Sequence, residues 1–289
     1  MLNLFWYIGL AGIGVASSIY AVLNKRTVCK TSTLLVLYLF TAGVAWIGEF
    51  TVLGLFNAYL YKTGVFADIW EGNLLGHLIL NTTLYPAAAV IMAAYSFRYG
   101  WISFISIFFT SIEYLFVKLR IYEQHWWRYY MTAVIVFVIL VISNKVFKKM
   151  NEGCSGLVRA IIFYFPAMVI IHIPAPILLL LGKQQYRLSF VSSLVKDFYL
   201  SSIIIIFSFH VIECLLAVIF ACILKKWYWK SLSFIISIVV QSVFAQMGIL
   251  TLHNGWRLIY TLFFYEISIM IFFLLEKYTV KPDLSAKVS

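Results

Sequence analysis

The sequence is short of charge. Only 11% of its 289 residues are Asp, Glu, Lys or Arg, less than half of the roughly 25% found in soluble domains. That shortage excludes a water-soluble globule, because there is too little polar surface to cover a chain of this length. Acidic residues are the scarcer sign, 11 against 22 Lys and Arg. In a soluble chain such an excess points to nucleic acid. Here the basic residues fall in short segments between apolar runs, where they set orientation and touch anionic lipid headgroups, so membrane lipid replaces nucleic acid as the expected partner.

Cysteine is also sparse. The four, Cys29, Cys154, Cys214 and Cys222, match neither a CxxC redox pair nor a zinc knuckle, which excludes a disulfide framework and a zinc module. Cys214 and Cys222 lie two turns apart in one apolar run and behave as small hydrophobes. Five prolines and few Asn, Asp or Gly clusters leave little room for long loops. No P-loop, GxSxG, HExxH or dinucleotide fingerprint occurs, so no cofactor is implied.

What the chain has is apolar length. It is 63% hydrophobic, with a mean hydropathy of +0.96. A helix needs about 20 mostly apolar residues to span a bilayer. Nine runs qualify, at 4–23, 33–55, 74–96, 101–121, 129–147, 158–181, 198–224, 231–252 and 256–275. The expected fold is therefore all-α, a polytopic helical membrane protein. The first run has no Lys or Arg before it and no small-residue cleavage site after it, so it reads as a span and not a signal peptide. Fourteen of the 22 basic residues, among them Lys25, Arg26, Lys148, Lys149, Lys225, Lys281 and Lys287, fall on the side where the first run ends. The positive-inside rule makes that side cytoplasmic. The expectation is a multi-pass protein of the cell membrane with its N-terminus outside and its C-terminus in the cytoplasm. Cys29 and Cys154 would then sit where thiols stay reduced.

The sequence also partly repeats itself. At a shift of about 129 residues Asp68 meets Asp197, Asn81 meets His210, and Trp127-Arg128 meets Trp256-Arg257. At 126, Tyr38 meets Tyr164 and Trp46 meets His172. The expected organisation is an N-terminal helix and basic loop (1–32), a first four-helix repeat (33–150), and a second with a short cytoplasmic tail (151–289). An even number of spans per repeat makes the two repeats parallel.

Ionisable groups inside spans cost about 2.5–3.5 kcal/mol or more at mid-membrane and tend to mark function. The candidates, among which Glu213 should pair with His210 and through it with His172, and Glu113 with His77 or Asn81 of the preceding helix, are Glu49, His77, Asn81, Glu113, His172, His210, Glu213, Gln241, Gln246 and Glu266. Each alone is equally explained by a polar contact between packed helices; as a set they describe an interior polar site. His210 and Glu213 share a helix face with Cys214, a weak metal-ligand pattern with no second ligand pair. His172-Ile-Pro174-Ala-Pro176 should break the sixth run and free carbonyls there. Tyr122 to Tyr130 is the densest polar and aromatic cluster, with His125 and Arg128 either anchoring the interface or recognising a ligand.

The segment from Ile112-Glu113 through Lys118, Arg120, Tyr122-Glu123 and His125 to Trp126-Trp127, followed by an apolar span, resembles an uncharacterised family of small multi-helix membrane proteins of endospore-forming bacteria. In that family a membrane Glu and an aromatic W-x-Y-like segment occur in similar order. The resemblance covers about a quarter of the chain and implies a bacterial cell-membrane location.

These features point first to binding or transport of a small polar or cationic solute through an interior polar site. A membrane-embedded enzyme acting on a lipid or polyprenyl substrate and a non-catalytic scaffold subunit are the alternatives. The orientation is directly testable in a background without the native cysteines. Lys149→Cys should react only with membrane-permeant thiol reagents, and Gln124→Cys with impermeant reagents in intact cells. Labelling of position 149 by an impermeant reagent would reverse the topology.

Overall fold

The computed structural model describes residues 2–25, 27 and 29–280. Arg26, Lys281 and Lys287, which contribute to the charge bias, and the rest of the C-terminal tail lie outside these residues. Among the described residues, nine helices are long and apolar enough to cross a membrane. The chain is an all-α polytopic membrane protein and divides into two compact units, Met1–Gly153 and Cys154–Ser289.

In the first unit, α1 (Leu2–Lys25) is followed by α2 (Thr31–Glu49), which runs on as a π-helical turn over Phe50–Leu55. A short strand, β1 (Tyr59–Tyr61), leads to α3 (Ile69–Ala94) and α4 (Tyr99–Lys118). A second strand, β2 (Tyr122–Gln124), leads to α5 (Tyr129–Glu152). Helix α3 starts five residues before the expected run because Asp68 caps it: its Oδ1 accepts from the backbone N–H groups of Trp70 at 2.7 Å and Glu71 at 3.0 Å, a cap worth about 1 kcal/mol. Helix α3 is central, packing against α1, α2 and α5. Its contact with α1 is close enough that a Cβ on Gly14 would stand 3.0 Å from the Thr83 carbonyl oxygen. Thr41 of α2 and Ser143 of α5 pair at 2.9 Å in the interior, the kind of interhelical polar contact that substitutes in lipid for a hydrophobic driving force.

In the second unit, α6 (Gly156–His172) and α7 (Pro174–Leu180) are two segments of one span. They are divided where the His-Ile-Pro sequence places the break, since Pro174 has no N–H to continue the ladder. Then come β3 (Gln184–Tyr186), the short α8 (Ser189–Leu194), α9 (Phe198–Val218) with a π-helical turn over Ile219–Leu224, α10 (Trp227–Gln246), β4 (Leu250–Leu252) and α11 (Leu258–Tyr278). The eighth apolar run, expected to be helical to 252, ends its helix at Gln246, and its last residues form β4.

The strands pair antiparallel, β1 with β2 and β3 with β4. Tyr61 faces Tyr122 in one ladder and Tyr186 faces Leu250 in the other. Both ladders are completed by the same local bonds. The Tyr61 N–H donates to Asn73 Oδ1 at 2.6 Å, and the Tyr186 N–H donates to Ser202 Oγ at 2.7 Å. Trp127 Nε1 donates to Thr132 Oγ1 at 2.7 Å, and Trp256 Nε1 to Thr261 Oγ1 at 3.0 Å. The Tyr38 hydroxyl donates to the Thr82 carbonyl, as the Tyr164 hydroxyl does to that of Val211. Asp197 caps α9 through the Leu200 N–H at 2.8 Å, as Asp68 caps α3. Each matched pair lies 125–129 residues apart.

Large apolar side chains such as Phe104, Ile107, Ile212 and Phe263 are exposed on α4, α9 and α11, a surface that hydrocarbon covers at no cost. One charge cluster, not singled out in the sequence, is buried in the second unit. Arg159 donates through Nε to Glu276 Oε1 at 3.0 Å and through Nη2 to the Glu276 carbonyl at 2.6 Å, and its Nη1 bonds the Val280 carbonyl. Lys230 reaches Glu276 Oε2 at 3.3 Å. This pair ties α6, α10 and α11 together, and breaking one partner of such a pair costs about 3–5 kcal/mol.

The seating of β1 on α3 has a sharp steric requirement at Gly76, where a Cβ would stand 2.5 Å from Tyr61 Cβ and 2.7 Å from its Cγ. Gly76→Ala should lower stability in detergent by about 1–3 kcal/mol. Gly9→Ala, whose Cβ meets nothing within 4 Å, should be neutral or slightly stabilising. Thermal melting of the two variants checks this, and equal melting temperatures would contradict the contact.

Candidate functional site

The first unit holds a partly open cavity of about 130 Å³ lined by α1, α2, α3, α4, α5 and the β1–β2 ladder. Strand alternation builds its wall. Tyr59 and Tyr61 are two residues apart on β1 and so point to the same face, into the bundle, where both rings are buried. Tyr122 on β2 meets them at ring-centroid distances of 5.1 and 5.3 Å, and Trp127 stands 5.5 Å from Tyr59. Interplanar angles between 36° and 76° make the four rings walls of a cage and not a stack. Burial, followed by the nearby Glu49 carboxyl, raises the phenol pKa of Tyr59 and of Tyr61 well above the usual value. Both remain O–H donors at any physiological pH.

Glu49 of α2 lines this cavity with Tyr59, Tyr61 and Asn81 as polar neighbours. It is 8% exposed, and its Oε1 has no hydrogen-bond partner. Asn81 of α3, 1% exposed, places its Nδ2 2.8 Å from His77 Nδ1 while its Oδ1 is left unpartnered. With the amide so oriented His77 accepts, which puts the imidazole proton on Nε2. His77 supports Asn81 from behind, its ring 5.7 Å from that of Trp46. Glu113 of α4 also lines the cavity. Its Oε1 accepts from Gln124 Nε2 at 2.7 Å, whereas Oε2 is buried without a partner. The expectation from sequence was that His77 or Asn81 would partner Glu113. Instead Asn81 adjoins Glu49, and Glu113 turns to the residue that β2 brings down beside it, a pairing invisible without the ladder.

His125 and Arg128 do not line the cavity. His125 Nδ1 lies 2.8 Å from the Asn57 carbonyl oxygen, and Arg128 Nη1 donates to the carbonyls of His125 and Trp127. They brace the loop that delivers Trp127. Outside the cavity, Lys62 and Glu123 form an exposed ion pair, whose hydrogen bond and charge lower the Glu123 pKa.

The second unit gathers the remaining candidates. His172, at the helix break, and His210 of α9 meet at 2.7 Å between their Nδ1 atoms, so one ring donates and the other accepts. If His172 donates, His210 carries its proton on Nε2, which faces Glu213 Oε2 at 3.5 Å. The three side chains expected together are therefore adjacent, with a hydrogen bond between the two rings and a longer approach from His210 to Glu213. Ser237 of α10 stands beside both Glu213 and Glu266 of α11. All four of their carboxyl oxygens are buried without hydrogen-bond geometry, as are Ser237 Oγ and His210 Nε2. Cys214, on the same helix, is fully buried, and among the described residues no group of three His, Cys, Asp or Glu side chains is arranged to hold a metal ion.

Next to that carboxyl pair runs a continuous hydrogen-bonded chain that ends at Gln241, whose Nε2 has no partner. Thr261 Oγ1 contacts Gln184 Oε1 at 3.2 Å, Gln184 Nε2 donates to the Tyr265 hydroxyl at 2.8 Å, and that hydroxyl pairs with Tyr186, which donates to Gln241 Oε1. Sequence reasoning missed Tyr59, Tyr61, Tyr122 and Tyr265 as interior groups. The signal for the first two was the Tyr-Leu-Tyr alternation just after a span.

Removing an unpartnered buried carboxyl relieves a desolvation penalty of about 1–3 kcal/mol. Glu213→Leu should therefore raise the melting temperature in detergent. A fall would show that Glu213 has a stabilising partner and is a packing group.

No protein-family model, curated protein or solved structure matches the chain.

Proposed function

We propose that this protein binds and transports a small polar or cationic solute through the interior polar site of its first unit. The observation that carries the reading is the pair of unpartnered buried acceptors, Glu49 Oε1 and Asn81 Oδ1, on the wall of one cavity. Buried polar atoms without partners are rare in folded proteins, and inside a membrane each is costlier still. A ligand that donates to both resolves the cost. The His172–His210–Glu213 chain with Glu266 supplies titratable groups for proton coupling. Location in a bacterial cell membrane, with the N-terminus outside and the C-terminus in the cytoplasm, belongs to the same reading and is supported by the basic-residue bias. So does descent of the two units from one duplicated segment, supported by their shared capping, ladder and Trp–Thr bonds.

Thermal stabilisation of the purified protein by a panel of amines, amino acids, polyols and sugars tests this. At least one compound should raise the melting temperature of the wild type, and the shift should shrink at least tenfold in apparent affinity in Glu49→Gln. Stabilisation by none of them, or undiminished stabilisation in Glu49→Gln, would leave the scaffold reading in its place.

A further inference from the structure

The geometry points to a compact organic ammonium ion as the ligand of the first-unit cavity, held by the Glu49 carboxylate inside the cage of Tyr59, Tyr61, Tyr122 and Trp127. This deepens the solute-binding reading and rests on it. Three observations carry it independently of one another.

The first is charge. The two carboxyl side chains on the cavity wall, Glu49 and Glu113, stand among phenols, and no Lys, Arg or His lines it. An anion entering would meet two acids and no counter-charge. A neutral solute would leave a buried carboxylate unpaired. A cation removes the need for either acid to be neutralised by a proton.

The second is the wall. Ammonium ions with alkyl substituents are recognised by several aromatic faces closing around them, with a carboxylate supplying the counter-charge. Four rings meet here at mixed angles around one space. A cavity of about 150 Å³ holds benzene, so about 130 Å³ accommodates a solute of about five or six heavy atoms.

The third is the comparison of the two units, which share a frame and differ in what fills it. In the second unit Tyr265 stands at the centre of the hydrogen-bonded chain, bonded to Gln184 and Tyr186. The first unit has Val136 at the corresponding place, seven residues into α5 as Tyr265 is into α11. It has Tyr59 in place of Gln184, each opening its strand. With the central hydroxyl gone, the phenols of Tyr59 and Tyr61 are left beside Glu49, an acid without counterpart in the wholly apolar segment Pro174–Leu180. The cavity is thus the result of specific replacements on a common scaffold, each of which adds an aromatic ring or an acid or removes a filler.

tert-Butylammonium and tert-butanol, of equal heavy-atom count and the same shape, one cationic and one neutral, serve as probes on the full-length purified protein. tert-Butylammonium, whose N–H groups can reach both free acceptors, should raise the melting temperature saturably, and tert-butanol at the same concentrations should not. Glu49→Gln and Tyr59→Leu should each weaken the tert-butylammonium response at least tenfold, while Tyr59→Phe, which keeps the ring, should stay within about threefold of wild type. Stabilisation by tert-butanol as strong as by tert-butylammonium would overturn the cation assignment. So would stabilisation of the wild type by neutral polar solutes, lost in Glu49→Gln, without any response to tert-butylammonium; that result would leave the solute-binding reading standing. Absence of any ligand response would overturn both. If a variant fails to fold, the contest between the two probes on wild-type protein still decides the charge preference.

Discussion

Each unit hangs on a single backbone hydrogen bond that leaves its strand. Tyr61 gives its N–H to Asn73, and Tyr186 gives its N–H to Ser202. A non-helical segment near the hydrocarbon must find partners for its backbone within the protein, because lipid offers none. The two-stranded ladders and the loops beside them satisfy part of that need, and a side chain of α3 or of α9 takes one further N–H. Once β1 is held this way, Tyr59 and Tyr61 have one direction to point, and the Tyr122 ring across the ladder is placed against them. The interior of the first unit is therefore shaped by a short strand that locks onto α3, and Gly76 is the position that allows α3 to accept it.

The same frame tolerates opposite interiors. In the second unit, hydroxyl and amide groups bond one another from Thr261 to Gln241, whose Nε2 alone is left without a partner, and a connected polar network rigidifies its surroundings. In the first unit the corresponding groups are fewer, and Glu49 and Asn81 keep free acceptors. A buried acceptor without a partner is costly and persists only where something offsets it. The carboxyl pair Glu213 and Glu266 shows the same tension beside that network. By contrast the buried charge of Arg159 is fully answered by Glu276 and two further carbonyls, which marks it as a structural tie between α6 and α11.

Helical membrane character and the placing of nine spans were legible in the sequence because lipid demands about 20 apolar residues per crossing, and a run of that length is visible without knowing its neighbours. The break at Pro174 and the His210–Glu213 contact were legible for a related reason: both are local, set by proline chemistry and by helical spacing. The 129-residue echo was visible in Asp68 and Asp197, whose side chains cap α3 and α9, and in the Trp-Arg pairs, whose Trp side chains bond a nearby Thr. What only the tertiary structure decided were the four strands, the choice of Gln124 and not His77 as partner of Glu113, the buried Arg159–Glu276 pair, and the closing of four aromatic rings around one space. Each of these joins residues 11 to 117 positions apart, on helices whose rotation about their own axes no hydropathy pattern of such uniformly apolar runs can specify. In lipid, apolar side chains are content on either face, so only the pairing of scattered polar groups selects which face turns inward.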